Sequence, residues 1–323
     1  MSFLSILIIK PSSLGDIVHT LPAVHFLKTS FPSAEIRWIA NSEWVPLLDG
    51  NPDLHHVISL PRQGFQGAGG VFRFLTWSRG LSSLRPNLVL DFQGLMRSAW
   101  MSQCSKGDRI LGLSDAREGA GFFYHDKAQV HTGQHSVDRY LALAKLAGAT
   151  IDGPVSFPLP TGQPLIEFKI PANMVLLHPF ARGVGKSLTP KEISELTRLL
   201  APLPVIIIGK SEEQLILNRN AVSLVNQTSL SQLVWLIRKA AFVISVDSGP
   251  MHIAAALTSQ LLSIHTWSDP KQVGPYNPSA WVWKRGEIIE VRSIPKKHFP
   301  TATTLRPDLL QVATFLHERV GHF

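Results

Sequence analysis

Nine short runs of aliphatic residues, spaced by stretches of helical periodicity, constrain this chain more than any other feature. In the first half they fall at residues 4–9, 36–40, 57–60, 88–92 and 110–113, and in the second at 175–177, 205–208, 242–246 and 261–265. The runs are continuous rather than alternating, so each strand must be covered on both faces. Strands of that kind, joined by helical crossovers, form parallel sheets with helices on either side, the doubly wound α/β architecture. A chain of 323 residues exceeds the size at which one core keeps growing, so two such domains are expected.

The division between them is legible as well. Pro154, Pro158, Pro160, Pro164 and Pro171 fall in one aperiodic stretch of the kind that makes a semi-rigid linker. The expected domains are therefore residues 1–164 and 165–305, followed by a tail at 306–323. Residues 136–148 close the first half as an amphipathic helix. Thr189, Pro190 and Glu192 predict a capping box with proline at the first helical position, and Ser229 with Gln232 predicts another. In the tail, Leu309, Leu310, Val312, Ala313, Leu316 and Val320 recur at helical spacing and require a packing partner.

Lysine and arginine outnumber aspartate and glutamate 31 to 23, a formal charge of +8, which favours anionic partners such as a phosphorylated lipid or an acidic membrane surface. There is no helix-turn-helix signature, zinc-finger spacing or aromatic RNA-binding motif, so nucleic acid is not the expected partner. Cys104 is the single cysteine, which rules out an intramolecular disulfide and a cysteine-based metal site and fits a reducing compartment such as the cytoplasm. The apolar start at residues 3–9 ends at Lys10 and is too short to span a bilayer.

Ligands of open parallel sheets bind outside the carboxyl ends of the strands, so the residues following each run are the candidates for chemistry. After the first comes Lys10-Pro11-Ser12-Ser13-Leu14-Gly15-Asp16, in which Asp16 is either a helix-capping residue or a general base kept ionised by the helix dipole. After the run at 242–246 comes Asp247-Ser248-Gly249-Pro250-Met251-His252. This is an ordinary strand-to-helix turn or a site where the Ser248 and Gly249 amides hold a diphosphate, with His252 as a further donor. Residues 178–187 end in Gly185-Lys186-Ser187 and imitate a P-loop, but Phe180 stands where that motif needs glycine, which excludes it. Lys186 is left as a phosphate partner or a solvated lysine. Glu212 and Glu213 suit the hydroxyls of a ribose or a charged first helical turn. Asp91-Phe92-Gln93-Gly94-Leu95-Met96-Arg97-Ser98 ends another strand, and its Arg97 either meets an anionic acceptor or is simply exposed.

Together, KPSSLGDIVHTLP at the amino terminus, DFQGLMRSA at 91–99 and SVDSGPMHIAAAL at 245–257 resemble glycosyltransferase family 9, the ADP-heptose:lipopolysaccharide heptosyltransferases, and within it the heptosyltransferase I branch. That resemblance implies a GT-B fold, two Rossmann-like domains facing a central cleft, with the acceptor on the first and the nucleotide sugar on the second. It also implies that the final helix returns to the first domain. By the same resemblance the enzyme inverts the anomeric centre without a metal or other cofactor, Asp16 is the base, and ADP-L-glycero-D-manno-heptose is the co-substrate. Lys186, Glu213, Thr228, Asp247, Ser248, Gly249 and His252 would contact the donor. Ser12, Ser13, Gln93 and Arg97 face the acceptor, a Kdo residue of lipid A presented at the cytoplasmic face of the inner membrane.

Two positions depart from the family pattern. Leu188 replaces a tryptophan, and Thr266-Trp267-Ser268 replaces Gly-Pro-Thr before Asp269, so a different donor sugar or a later heptose step stays open. A noncatalytic nucleotide-sugar-binding protein of the same fold is the alternative from another class.

Overall fold

The computed structural model describes residues 4–166, 168–294 and 305–320. The chain divides into two compact units, Met1–Pro160 and Thr161–Phe323. No helix among the described residues is long and apolar enough to cross a membrane.

The first unit runs β1 (Ser5–Ile9), α1 (Leu14–Ser30), β2 (Glu35–Asn41), α2 (Val45–Leu48), β3 (His56–Leu60), α3 (Gly70–Arg79), β4 (Leu88–Asp91), α4 (Met96–Cys104), β5 (Arg109–Leu113), β6 (Asp126–Ala128) and α5 (Ser136–Leu146). Its six strands pair in the order β3-β2-β1-β4-β5-β6, all parallel. Ile6, Leu7, Ile8 and Ile9 of the central β1 are buried. Burying each of these side chains contributes roughly 1.5–3 kcal/mol, which is why positions 6–9 admit no polar residue. Helix α1 is buried along most of its length and packs on α5.

The second unit runs β7 (Val175–His178), α6 (Pro190–Leu199), β8 (Val205–Ile207), β9 (Ala221–Ser223), α7 (Leu230–Lys239), β10 (Phe242–Val246), α8 (Gly249–Leu257), β11 (Leu261–Ile264), α9 (Pro270–Val273), β12 (Trp281–Lys284), β13 (Glu287–Glu290) and α10 (Leu309–Val320). The sheet order is β13-β12-β11-β10-β7-β8-β9. Both expected capping boxes form: Thr189 Oγ1 accepts from the Glu192 amide at 3.2 Å, and Ser229 Oγ accepts from the Gln232 amide at 3.2 Å.

Three features differ from the expectation. Strand β13 is antiparallel to β12, so this sheet is mixed at its edge. The hairpin turns at Arg285 and Gly286, both with positive φ (56° and 88°), the geometry of a two-residue hairpin turn. Strand β6, three residues long, completes the edge of the first sheet. Between β8 and β9 there is no helix, so Glu212 and Glu213 lie on an irregular segment rather than in a first helical turn. Helix α10 belongs to the second unit. Its Val312, Ala313, Phe315, Leu316 and Val320 enter one core with Val175, Ile193, Leu196, Phe242 and Trp283, where the apolar stripe finds its burial.

Candidate functional site

In each sheet the chain starts at a central strand, builds to one side, then crosses to the other, leaving a crevice at the carboxyl ends where the direction reverses. In the first unit this switch point lies between β1 and β4. Lys10, the residue after β1, is 3% exposed, and its Nζ donates to the Phe92 carbonyl beyond β4 at 3.1 Å. The same ammonium is 3.6 Å from Asp16 Oδ1 and 4.9 Å from the centre of the Tyr140 ring.

Asp16 lies in the first turn of α1. Its Oδ2 accepts from the Ser13 amide at 2.9 Å and the Ser13 hydroxyl at 2.8 Å, while Oδ1 accepts from the Tyr140 hydroxyl at 3.0 Å. The two readings of Asp16 are therefore not exclusive: the carboxylate closes the helix start and its side chain is still 36% exposed. Burial pushes its carboxyl upward, but Lys10 and the hydrogen bonds from Ser13 and Tyr140 outweigh it and hold the group below the ordinary carboxylate range. Burial likewise lowers Lys10, opposed by Asp16 and Asp91, and raises the Tyr140 phenol further in company with Asp16. Asp16 is thus an ionised carboxylate held by three partners.

Asp91 at the end of β4 is fully buried, takes the Gln93 and Gly94 amides on Oδ1 and the Tyr124 hydroxyl on Oδ2 at 2.7 Å, and has its carboxyl raised by burial. It shapes the turn that carries Gln93 and Arg97. Those two and Ser12 line a single cavity of about 610 Å³, whose apolar wall includes Phe65, Phe74 and Trp100. The Arg97 guanidinium lies 5.7 Å from the centre of the Phe74 ring. Ser13 is turned instead to Asp16.

The switch point of the second unit lies between β7 and β10, and a hydrogen bond spans it: His178 Nδ1 and Ser248 Oγ are 3.1 Å apart. Burial lowers the His178 imidazole to about 4, so it is neutral at pH 7. Ser248 precedes α8, which Pro250 opens, so the amides of Ser248 and Gly249 stand at the positive end of a nine-residue helix. His252 is buried in the first turn.

Asp247 is held from the neighbouring strand. Its Oδ2 accepts from the Ser268 hydroxyl at 2.6 Å, Ser268 Oγ is 2.9 Å from His265 Nδ1, and the buried Lys284 Nζ donates to the Ser268 carbonyl at 3.0 Å. Burial raises the Asp247 carboxyl, while His265, the Ser268 hydroxyl, His252 and Lys186 bring it below its ordinary value. Burial also lowers His265, to about 4. Asp247 is thus an ionised carboxylate held by Ser268.

Lys186 sits on a loop that two other elements hold. The Thr266 hydroxyl donates to the Gly185 carbonyl at 3.2 Å. Arg306 donates to the carbonyls of Gly185 and Ser187, each at 2.8 Å, and with Nε to Glu192 Oε1 at 2.8 Å. Trp267 is half-exposed beside Gly185, and Leu188 is 1% exposed in the core. Glu213 and Thr228 belong to adjoining loops: Asn226 bonds the Ser211 amide and carbonyl at 3.2 and 2.6 Å, joining the segment before Glu213 to the one before Thr228. Among the described residues, no group of three or more His, Cys, Asp or Glu is arranged to hold a metal ion.

Sequence reasoning missed Lys10, Tyr140, His178, His265, Ser268 and Arg306. Lys10, His178 and His265 each follow or end an aliphatic run, and that position was a usable signal. Tyr140 and Arg306 gave none, because their partners lie 124 and 114 residues away.

Comparison with known proteins bears on both halves. Residues 77–292 match the model of glycosyltransferase family 9 (heptosyltransferase). The chain is 27% identical over 314 residues to lipopolysaccharide heptosyltransferase 1 of Escherichia coli K12, covering 89% of this chain and 96% of that protein. It is 26% identical over 303 residues to lipopolysaccharide heptosyltransferase 1 of Pseudomonas aeruginosa, covering 85% and 82%. In fold it is similar to the E. coli heptosyltransferase WaaC with ADP, with a TM-score of 0.75, 22% identity and coverage of 98% and 100%. It is also similar to E. coli ADP-heptose lps heptosyltransferase II, with a TM-score of 0.79, 21% identity and 98% coverage of each chain.

Proposed function

Because the chain belongs to glycosyltransferase family 9, the heptosyltransferases, we propose that it transfers heptose from ADP-L-glycero-D-manno-heptose to a Kdo residue of the lipopolysaccharide inner core, with inversion and without a metal. The acceptor hydroxyl attacks the anomeric carbon as the bond to the diphosphate breaks; ADP leaves with the electron pair, and Asp16 takes the hydroxyl proton. The observation that carries this reading is the Asp16 carboxylate, ionised, partly exposed and fixed by Ser13, Tyr140 and Lys10. A base held at low pKa suits a reaction in which bond cleavage runs ahead and the hydroxyl becomes acidic late.

In the second unit, Lys186 and the Ser248 and Gly249 amides compensate the charge that develops on the leaving diphosphate. Glu213 takes the ribose, Thr228 lies near the adenine, and Asp247 with His252 orients the turn or a sugar hydroxyl. Arg97 and the net charge of +8 suit an acidic acceptor at an anionic membrane face. The exposed Val71 and Phe72 at the start of α3 supply apolar contact for the same cytoplasmic-side peripheral association.

The test is release of ADP from ADP-heptose in the presence of Kdo-lipid A. Asp16→Asn keeps an acceptor for the Ser13 amide, so it preserves the helix start and donor binding while lowering kcat by about 10²–10⁴-fold. Near-normal turnover in that variant would remove Asp16 as the base. The buried Leu188 and the half-exposed Trp267 support a second reading, a different donor sugar or a later heptose step. A panel of ADP-sugars in the same assay decides between them.

A further inference from the structure

The cavity of the first unit contains a group that the reaction outlined above does not use. Asn41 ends β2, is 2% exposed and lines that cavity. Neither Nδ2 nor Oδ1 of its side chain has a hydrogen-bond partner among the described residues, and Gln93 Oε1, also in the cavity lining, is a second buried acceptor without one. A buried carboxamide with neither end satisfied is unfavourable unless something binds it. Its backbone is not free to move away, since the Asn41 amide donates to the Pro11 carbonyl at 3.0 Å, on the segment that leads to Asp16.

We propose that Asn41 is a specificity-determining residue of the acceptor site, its carboxamide reading two neighbouring hydroxyls of the acceptor sugar, one as donor and one as acceptor, with Gln93 Oε1 taking a further hydroxyl. This rests on the acceptor assignment above. An amide presents a donor and an acceptor side by side, which is the complement of a vicinal diol, whereas a carboxylate, an acceptor only, would leave Oδ1 unpaired and an acyl chain would leave both ends so. The chemistry divides accordingly: cations serve the acid group of the sugar, carboxamides its hydroxyls, and Phe74 and Trp100 its apolar face. The cavity of about 610 Å³ falls within the roughly 300–1,000 Å³ typical of small-molecule sites.

Asn41→Leu, similar in size and without polar atoms, is the test variant in the full-length protein. The acceptor KM rises about 10- to 100-fold, the loss expected when two hydrogen bonds that select a substrate are removed. The donor KM is unchanged and kcat stays within a few-fold. An acceptor lacking one of the two hydroxyls loses affinity for wild type but not for the variant. The melting temperature is equal or higher, because the unsatisfied carboxamide of Asn41 is gone; a purely structural Asn41 would give a lower one.

Binding is measured separately, by quenching of Trp fluorescence from Trp100 on titration with free Kdo. An unchanged acceptor KM with unchanged Kdo binding overturns the role of Asn41, as does a lowered melting temperature with normal kinetics. If wild type binds Kdo through Asn41 but transfers nothing to Kdo-lipid A, the transfer reading fails while Asn41 stands. If wild type binds no Kdo at all, the inference fails with it.

Discussion

Arg306 lies far along the chain from Lys186, yet it is the residue most able to control the lysine's loop. Replacing it by alanine removes two hydrogen bonds to the Glu192 carboxylate and one each to the Gly185 and Ser187 carbonyls. The ion pair is partly exposed, 34% for the arginine and 19% for the glutamate, so solvent screening limits it to about 1 kcal/mol. The two bonds to carbonyls contribute about 1 kcal/mol each. The loss is therefore roughly 2–3 kcal/mol, concentrated on residues 185–187 and the start of α6. If the loop must be reordered when the donor binds, the donor KM rises by about 30- to 150-fold, since every 1.4 kcal/mol is a factor of ten. The acceptor KM is untouched. Arg306→Lys recovers little, because an ammonium cannot span a carboxylate and two carbonyls as the planar guanidinium does. The assay is steady-state ADP release with the donor varied, alongside urea denaturation. A variant with wild-type donor KM and an unchanged denaturation midpoint would show that Arg306 does not hold the loop.

The second unit is expected to lose stability in mild acid. His178 and His265 are neutral in the fold, with values lowered by burial to about 4, whereas an unfolded histidine titrates near 6.5. Between these values the unfolded chain binds more protons, so stability falls as pH drops through 6.5 and levels off below about 4, by about 3 kcal/mol for each histidine. Urea midpoints at pH 7 and pH 4.5 check this, and equal midpoints would contradict it. Leu188→Ala costs about 2–5 kcal/mol in the same experiment, because it opens a cavity in the core. Leu188→Trp, which restores the residue common in the family, also destabilises, by about 1–3 kcal/mol from overpacking.

Much of the architecture was readable because burial on both faces of a parallel strand leaves an unbroken aliphatic run. Each of the nine expected strands overlaps an observed one, and Phe242–Val246 coincides with it. Of the four edge strands only β3 was readable, for the same reason. Strands β6, β9 and β13 include exposed or half-exposed positions and lack that run. Even so, Arg285-Gly286 between Trp281-Val282-Trp283 and Ile288-Ile289 was a hairpin signal open to notice. The tail's helical stripe was visible, but periodicity says only that a face is apolar, not which core receives it.

The candidate site divides in the same manner. Asp247 and Ser248 directly follow β10 and Asp16 lies in the first helical turn after β1, so all three could be named from the sequence. The groups that set their charge and orientation, such as Tyr140 on α5 and Ser268 after β11, reach them only through the folded chain.

With Asp16 as the proposed base, the way it is held bears on which oxygen of a sugar can react. A carboxylate tied at both oxygens to its own helix start and to Tyr140 has no arc to sweep. The proton must be brought to it, and only a hydroxyl that the seated sugar points at one fixed place can deliver it. Regiochemistry in such an enzyme is then a property of docking, not of reactivity. A sugar held a single hydroxyl out of register would sit in full contact with the protein and remain inert.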